Sequence, residues 1–283
     1  MNPFSLIKFK KKCLYILFFW FILIFVFADT GLSLEKKFIN HLGMEFILVE
    51  PGSFIMGSPE DEAYRDKNEV QHKVNITKAF YLQTTEVTVK QWRTVRGYKL
   101  FGRKKGGDNF PVTKVSFYDT QKFIKKLNNL NEIDKGIYRL PTEEEWEFAC
   151  RAGTTTAYSW GDKIDCSKAV YQNNTKKASD CILFFKSAHI LSNGPAPVKS
   201  FAPNPWGFYD MHGNVWEWCS DQYHEYKNYV VNTGYGTIKT KTRIKRGGSW
   251  YKYGRYLRSA NRSYAHPSAK FQTTGFRLVF EAD

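Results

Sequence analysis

The chain has 283 residues, of which 24% are charged and 42% hydrophobic, a balance that excludes a wholly disordered chain and a polytopic membrane protein. Lysine and arginine outnumber the acids by 42 to 27, and a net charge of +15 would suit acidic glycans, anionic lipids or nucleic acid. Ten prolines and twenty glycines without a period exclude collagen-like and low-complexity sequences, which leaves a globular, basic protein.

Residues 1–28 resemble a secretory signal peptide. Four lysines lie within positions 8–12, an apolar run extends from Leu14 to Phe27, and Ala28 offers a small side chain before a cut at Asp29. The fourteen apolar residues of the run are fewer than the ~20 that a membrane span needs, so an uncleaved anchor is the alternative interpretation. We therefore expect an exported protein, periplasmic or secreted, that meets the membrane only if the leader stays uncleaved.

Export narrows the choice of partners. Removal of residues 1–28 leaves 38 basic and 27 acidic residues, a net charge of +11. The basic residues are scattered, and the densest groups are those over 103–105 and 243–246. Because an exported protein does not meet nucleic acid, we expect no nucleic-acid partner and interpret the lysines as a solvated surface.

The predicted elements begin with strands. After a polar lead-in over 29–42, short apolar stretches between proline and glycine breaks predict strands over 43–49 and 52–56. The charged, aperiodic stretch 60–71 predicts a surface loop, and the apolar pattern of 74–82 predicts one further strand.

Three helices are predicted from their first turns. Thr88 with Gln91, and Thr142 with Glu145, form the capping-box pattern in which the first side chain and the one three residues later satisfy each other's backbone amides. Ser116 begins a third helix, whose apolar residues recur on one face.

The second half of the chain predicts a loop-rich structure. Residues 154–283 contain few regular periodicities but many glycines, asparagines, aspartates and aromatic residues. No linker rich in proline or serine divides the chain, so 43–283 is predicted to be one domain.

Four cysteines remain after the leader. Cys166 and Cys181 flank a polar stretch, and export permits a disulfide that would close this loop. Cys150 lies in the predicted helix that begins at Thr142, and Cys219 lies in an aromatic run; in both contexts thiols are often simply buried. Within the sequence no cysteine or histidine cluster has zinc-ligand spacing.

An ordered set of motifs identifies a family resemblance. The segments are GMEFILVEPGSFIMGS, YLQTTEVTVKQW, PVTKVSFYDTQKFI, YRLPTEEEWEFACRAGTTTAYSWGD, NPWGFYDMHGNVWEWCSD, RIKRGGSW, RSANR and TGFRLV. From about Gly43 to Val279 the chain closely resembles the sulfatase-modifying-factor family, which includes the formylglycine-generating enzymes. The resemblance implies an α+β, C-type-lectin-like fold, loop-rich with little regular secondary structure, and structural calcium.

The resemblance also shows where this chain departs from the enzymes. Those enzymes bind copper through two cysteines shortly after the GGS motif, because soft Cu(I) prefers thiolates. Here residues 247–258 contain no cysteine, and Lys252 stands where the first thiolate would be expected. We therefore expect neither copper nor formylglycine chemistry, and we assign no catalytic residue. A triad of Ser249, His266 and an aspartate is the other arrangement considered, but no GxSxG motif supports it.

Calcium is implied at one segment. The resembled site takes side-chain oxygens from its first and last residues and main-chain carbonyls between, which here correspond to Asp210, Gly213, Val215 and Glu217. The alternative is that the two acids cap turns or pair with Arg243 or Arg246. A second family site is doubtful, because Val170 stands where its asparagine would be.

Four residues correspond to the substrate groove of the family: Trp216, Ser249, Trp250 and Arg258. Beside Tyr251, Tyr253 and Arg255 they could bind a protein, a peptide or a glycan through stacking and guanidinium contacts. The alternative is that Trp216 and Trp218 are core residues and Arg258 anchors a loop. The sequence thus favours a binding or assembly module in the cell envelope, and the competing class is an oxidoreductase of the formylglycine-generating type acting on a secreted protein or metabolite.

Overall fold

A computed structural model describes residues 35–97, 107–130, 134–176, 181–226 and 241–283. The predicted signal peptide over residues 1–28 lies outside the described residues. Residues 35–283 form one compact unit, and helices and strands together with long irregular segments give the predicted α+β, loop-rich architecture. Within the ranges given above, no helix is both long enough and apolar enough to cross a membrane.

A five-stranded antiparallel sheet forms the base of the fold. In spatial order its strands are β1 (Lys37–Ile39), β2 (Glu45–Val49), β5 (Phe80–Gln83), β11 (Val279–Ala282) and β6 (Gly136–Arg139). The last strand of the chain, β11, thereby pairs with β5 and β6 from the first half of the chain, so the two halves share one sheet. The stretch predicted to be a polar lead-in contains β1, because three of its residues extend this sheet.

The predicted single strand over 74–82 is wrong. The structure has two strands there, β4 (His72–Ile76), which pairs with β3 (Gly52–Met56), and β5, which belongs to the five-stranded sheet. The residues of β4 alternate between exposed and half-buried, whereas all four residues of β5 are buried. The sequence pattern over 74–82 did not show that a surface strand ends and a core strand begins within this stretch. The predicted strand over 52–56 and the predicted loop over 60–71 are confirmed.

The three predicted helices are present. They are α1 (Val89–Arg96), α2 (Phe117–Asn129) and α3 (Glu143–Arg151), and each begins with a capping box at Thr88, Ser116 or Thr142. A fourth helix, α4 (Cys181–Ser187), was not predicted.

A second, four-stranded sheet comes from the loop-rich half. In spatial order its strands are β10 (Thr274–Gly275), β7 (Trp216–Gln222), β8 (Arg243–Arg246) and β9 (Ser263–Ala265). The strands β7 and β8 run antiparallel, with Glu217 opposite Arg246 and Trp218 opposite Lys245. Because side chains alternate along a strand, adjacent residues of β7 contact different halves of the core.

The stretch between α3 and β7 is held by a small apolar cluster and a disulfide. Cys166 and Cys181, the pair proposed from the sequence, are joined with their Cα atoms 5.3 Å apart, and the bridge fastens the start of α4 to the preceding loop. Phe185 of α4 is fully buried in this cluster, together with Leu257 of the segment that follows the GGS motif. The disulfide and this apolar cluster thus connect α4 to the segment that follows the GGS motif.

Candidate functional site

Strand β7 separates two chemically different sites. On one face, Glu217 lies in a buried ionic cluster. On the other, Trp216 and Trp218 lie beside Lys245 of the neighbouring strand. Both tryptophans and Glu217 are buried, so each site is built into the core rather than added to the surface.

The carboxylate of Glu217 is bound by side chains from two distant parts of the chain. Its Oε2 accepts hydrogen bonds from Arg277 Nε at 2.7 Å and from Trp146 Nε1 at 2.8 Å, and its Oε1 accepts one from Arg277 Nη2 at 2.7 Å. The other guanidinium hydrogens of Arg277 reach backbone carbonyls, including that of Tyr209 at 2.9 Å. Glu217 therefore pairs with Arg277, and not with Arg243 or Arg246 as the alternative in the sequence analysis supposed.

Two further carboxylates complete what we call the acidic cluster: Glu86, Asp210 and Glu217 around Arg277. Glu86 is fully buried, and within the described part of the chain neither of its carboxylate oxygens has a hydrogen-bond partner. Burial, followed by the charges of Asp210 and Glu217, raises the pKa of Glu86 well above its ordinary value. Burial likewise raises the pKa of Asp210 to about 6, although the Lys199 backbone amide donates to its Oδ2 at 2.9 Å.

The turn that follows Asp210 has an unusual backbone. Asp210 and Asn214 adopt φ values of 59° and 50°, and Gly213 has φ 97° with its backbone amide 2.7 Å from the Gly247 carbonyl. A Cβ atom on Gly213 would lie 2.4 Å from the Val170 carbonyl oxygen, so a side chain would not fit there. Asp210, Gly213, Val215 and Glu217 lie within eight consecutive residues, and the first and the last of them belong to the acidic cluster.

The acidic cluster suits a divalent cation in its charge and its donors. Three acids surround the single guanidinium of Arg277, and their mutual repulsion raises the pKa of Glu86 and of Asp210 after burial itself, so a cation would be needed to hold all three ionised. Within the described ranges no three Asp, Glu, His or Cys side chains converge closely enough to hold a metal by themselves. A cation here would thus depend on main-chain carbonyls as well, which calcium accepts. At the second family site, Val170 is a buried side chain without oxygen, and its carbonyl accepts the amide of Asn214.

The opposite face of β7 carries an aromatic cage, by which we mean Trp216, Trp218 and Phe271 around Lys245. The Nζ atom lies 5.5 Å from the ring centre of Trp216, 5.8 Å from that of Trp218 and 4.7 Å from that of Phe271. Lys245 belongs to the basic group over 243–246, for which the sequence predicts a solvated surface, yet only 6% of the residue is exposed.

Three of the four predicted groove residues lie near one another in the core. The indole of Trp250 donates to the Gln272 carbonyl at 3.4 Å, and the backbone amide of Trp216 donates to the Thr273 carbonyl at 2.8 Å, so both tryptophans attach to the same segment. Ser249 precedes Trp250 and is fully buried, and among the described residues its hydroxyl has no partner. All three are buried, and for Trp216 this agrees with the core alternative, as does the burial of Trp218.

Arg258 lies apart from these residues and anchors a loop. Its Nη1 donates to Glu62 at 2.5 Å and to Glu69 at 2.7 Å, and its Nη2 donates to the Tyr64 carbonyl at 2.7 Å. These contacts hold the loop over 58–69 against the segment after the GGS motif. The structure therefore agrees with the loop-anchoring alternative for this residue.

An open pocket lies beside that loop. We call it the tyrosine–arginine pocket; it has a volume of ≈ 480 Å³, and its lining includes Tyr64, Tyr158, Ile164, Arg255 and Arg258. The guanidinium of Arg255 lies 5.8 Å from the ring centre of Tyr64, and both residues are exposed. Exposed tyrosine and arginine are residue types that contribute strongly to binding of proteins and peptides.

The four cysteines of the described residues form one disulfide and two buried thiols. Cys150 and Cys219 are free but fully buried, and burial raises the pKa of the Cys150 thiol to about 12. Cys150 Sγ lies 3.5 Å from His212 Nε2, but that ring is neutral at neutral pH because burial lowers its pKa to about 4. The two atoms therefore do not form a thiolate–imidazolium pair.

The considered serine triad is not formed. Ser249 is buried, whereas His266 is exposed and its Nδ1 lies 2.7 Å from the hydroxyl of Ser268.

Comparisons with known proteins agree with this architecture. Residues 34–282 match the family described as "Sulfatase-modifying factor enzyme 1-like domain". The serine/threonine-protein kinase pkn1 of Chlamydia pneumoniae is 30% identical over 83% of this chain, and this chain spans only 38% of that kinase's length. The formylglycine-generating enzyme of Streptomyces coelicolor is 33% identical over 63% of the chain and 55% of the enzyme.

Two further similarities extend over almost the whole of both proteins. The chaperone protein LppX of Paenibacillus barcinonensis is 28% identical and aligns over 90% of this chain and 94% of its own. The structure of PvdO from Pseudomonas aeruginosa superposes with a TM-score of 0.71 at 28% identity, covering 88% of this chain and all of PvdO. The fold is thus C-type-lectin-like, in the variant found in formylglycine-generating enzymes.

Proposed function

The chain belongs to the sulfatase-modifying factor enzyme 1-like family, and from that premise we propose that it is an exported binding or assembly module of the cell envelope. One observation carries the proposal: Lys252 occupies the position expected for the first copper thiolate, and no cysteine follows Cys219. The two free thiols that remain are buried, with raised pKa values, so they do not substitute for the missing pair. We infer that the chain has the fold of the family without the copper-thiolate chemistry of the formylglycine-generating enzymes.

The tyrosine–arginine pocket supports a binding role. Tyr64 and Arg255 combine stacking surfaces with hydrogen-bond donors, which suits a peptide or protein segment, or a glycan. LppX, which aligns over nearly its whole length with this chain, bears the name of a chaperone, and assistance to another protein is an assembly function. Both observations favour a protein or peptide partner.

The binding proposal is tested with defined probes. The protein without residues 1–28 would be screened against a displayed random-peptide library and an immobilised glycan array. We expect a selected ligand to bind the double variant Tyr64→Ser, Arg255→Ala about tenfold or more weakly, because both groups line the pocket. The matched control is Tyr264→Ser, an exposed tyrosine outside the pocket lining. Equal loss in the control, or no ligand from either library, would contradict the proposal.

The second candidate is an oxidoreductase of the formylglycine-generating type. It is favoured by the 33% identity to the Streptomyces coelicolor enzyme, and its substrate would be a secreted protein or metabolite. The protein would be incubated with copper and a cysteine peptide of a sulfatase, and oxygen uptake and aldehyde formation measured. We expect no turnover; turnover that is lost on chelation would replace the binding module with an enzyme.

We further propose that calcium stabilises the fold at the acidic cluster. Asp210 and Glu217 would supply side-chain oxygens and Gly213 and Val215 main-chain carbonyls, with Glu86 adjacent as a further buried carboxylate. When bound, the ion would neutralise carboxylates that are otherwise buried together. We propose no copper site in this protein.

A further inference from the structure

A broad groove lies between the loop that leads to the disulfide and helix α4. We call it the tryptophan groove; it has a volume of ≈ 850 Å³, and its lining includes Trp160, Lys163, Asp165, Lys168 and Phe184. Trp160 is half-buried and the other four residues are exposed, so the groove opens to solvent. None of these five residues lines the tyrosine–arginine pocket, which makes the groove a separate candidate site.

The indole of Trp160 is held in one orientation by its neighbours. Its ring lies nearly parallel to that of Tyr158, with the ring centres 5.2 Å apart, and it meets the His212 ring edge to face at 4.7 Å. Its Nε1 donates a hydrogen bond to the Lys163 carbonyl at 3.0 Å. Because Tyr158 and His212 are themselves buried, a ligand that stacks on Trp160 would meet a ring whose conformational freedom is already restricted.

The disulfide joins the two parts of the chain that carry the aromatic rings of the groove. Cys166 lines the groove, and its partner Cys181 begins α4, three residues before Phe184. Phe184 is 37% exposed, so much of its ring remains accessible to a ligand. The bridge thus connects the loop of Trp160 covalently to the helix of Phe184, and a ligand that touches both rings needs to order less of the chain.

The rim of the groove carries balanced charge. Its charged side chains are those of Asp162, Lys163, Asp165 and Lys168. Within the described residues none of the four forms an ion pair, and two acceptors are oriented by the backbone: Asp162 Oδ1 accepts the Ala157 amide at 3.0 Å and Asp165 Oδ1 the Ser167 amide at 2.7 Å. Two amines and two carboxylates favour neither an anion nor a cation, but they offer donors and acceptors to hydroxyl groups.

We propose that the tryptophan groove binds an uncharged glycan, with one sugar ring stacked on Trp160 and its hydroxyl groups hydrogen-bonded to the rim. The C–H groups of a sugar ring are weakly positive and pack against the negative face of an aromatic ring. A charged ligand of either sign would meet like charges on the rim. The inference goes beyond the binding function proposed above, because only Asp162 and Ile164 line both sites.

The test uses an immobilised array of uncharged oligosaccharides of glucose, mannose, galactose, xylose and N-acetylglucosamine. The purified protein would be applied to the array, and the affinity for each bound oligosaccharide measured by titration calorimetry. We expect Trp160→Ala to weaken binding about tenfold and Phe184→Ala several-fold, because each removes a stacking surface. The matched control is Leu183→Ala, which changes the neighbouring residue of α4, 76% exposed and outside the groove lining, and should bind as the parent does.

Two further measurements separate recognition from a structural effect. Phe184 is exposed, so Phe184→Ala should keep the melting temperature of the parent while it loses affinity. The affinity of the parent should change less than about twofold between about 0.05 M and about 0.5 M sodium chloride, because salt does not screen contacts to an uncharged ligand.

Three results would overturn the inference: no oligosaccharide of the array is bound, Leu183→Ala loses as much affinity as Phe184→Ala, or binding falls steeply with salt. A glycan whose binding depends on Tyr64 and Arg255, and not on Trp160, would also overturn it, but would support the binding function of the tyrosine–arginine pocket. A peptide that binds the tyrosine–arginine pocket while no glycan binds the tryptophan groove would leave that function standing and the inference refuted.

Discussion

Arg277 holds the acidic cluster together at the level of single side chains. The substitution Arg277→Met would leave Glu86, Asp210 and Glu217 buried without their guanidinium partner. We expect a loss of about 3–5 kcal/mol in the free energy of unfolding, because breaking a buried ion pair exposes the full cost of the remaining charge. Urea denaturation would measure it.

The matched control is Arg93→Met. Arg93 Nη1 lies 2.8 Å from Asp108 in a solvent-exposed pair, whose removal should cost less than about 1 kcal/mol. Equal losses in the two variants would show that Arg277 contributes no more than a surface pair.

The carboxyl of Asp210 makes stability depend on pH in a known direction. Its pKa in the fold, about 6, exceeds the ordinary value of 3.8, so the folded state binds this proton more tightly than the unfolded state. Its contribution to stability is therefore complete below about pH 4 and is lost as the pH rises to about 6. Without calcium, Asp210→Asn should flatten this part of the melting-temperature profile.

Calcium should reverse the trend, because it binds ionised carboxylates. We expect calcium to raise the melting temperature, relative to EDTA, more at about pH 7.5 than at about pH 5. If EDTA changes nothing at either pH, and Asp210→Ala and Glu217→Ala are as stable as the parent, the acidic cluster is not a calcium site.

The sequence alone could point to Asp210 and Glu217, but not to Glu86 or Lys245. The first two stand in a recognisable motif, whereas the burial of Glu86 and Lys245 results from contacts with distant segments. A lysine in the segment RIKR resembles surface charge until the pairing of β7 with β8 places it opposite Trp218. Burial of an ionisable group is a tertiary property, and local sequence carries little trace of it.

At the scale of elements, the disulfide between Cys166 and Cys181 fixes the loop that leads into α4. The cysteines are 15 residues apart, and closing a loop of that length is worth about 3 kcal/mol. We expect the double variant Cys166→Ser, Cys181→Ser to lose stability of this order in thermal denaturation. The parent should lose stability on addition of reductant and the double variant should not; insensitivity of both to reductant would contradict the prediction.

Helices were more predictable than strands. A capping box such as that of Thr142 and Glu145 involves residues three apart, so the sequence displays it directly. The strands β7 to β10 are short and pair with distant segments, so no local sequence pattern predicts them. The boundary between β4 and β5 was missed for the same reason, since the two strands join different sheets.

At the scale of the whole molecule, the proposed export can be tested at the N-terminus. Protein recovered from the periplasmic or extracellular fraction should begin near Asp29, because cleavage after Ala28 removes the leader. N-terminal sequencing and the intact mass would establish this. An uncut chain that fractionates with membranes would favour the anchor alternative.

The family and its fold were evident from eight ordered motifs, and the match over residues 34–282 agrees with them. Those motifs build the scaffold. They do not identify the ligand, because the segment after the GGS motif carries Lys252 and contributes Arg255 to the tyrosine–arginine pocket. Such variable segments determine which ligand binds, and the motifs that build the scaffold do not identify that ligand.

Strand β7 also limits how this protein can change in length. Trp216 and Trp218 lie beside Lys245, while Glu217 lies with Arg277 on the reverse side. Insertion or deletion of a single residue here would turn every following side chain to the other face, sending a carboxylate among the aromatic rings and an indole among the acids. An insertion or deletion between Trp216 and Trp218 would therefore disrupt both sites at once, whereas the register irregularity that already follows Trp218 lies outside them.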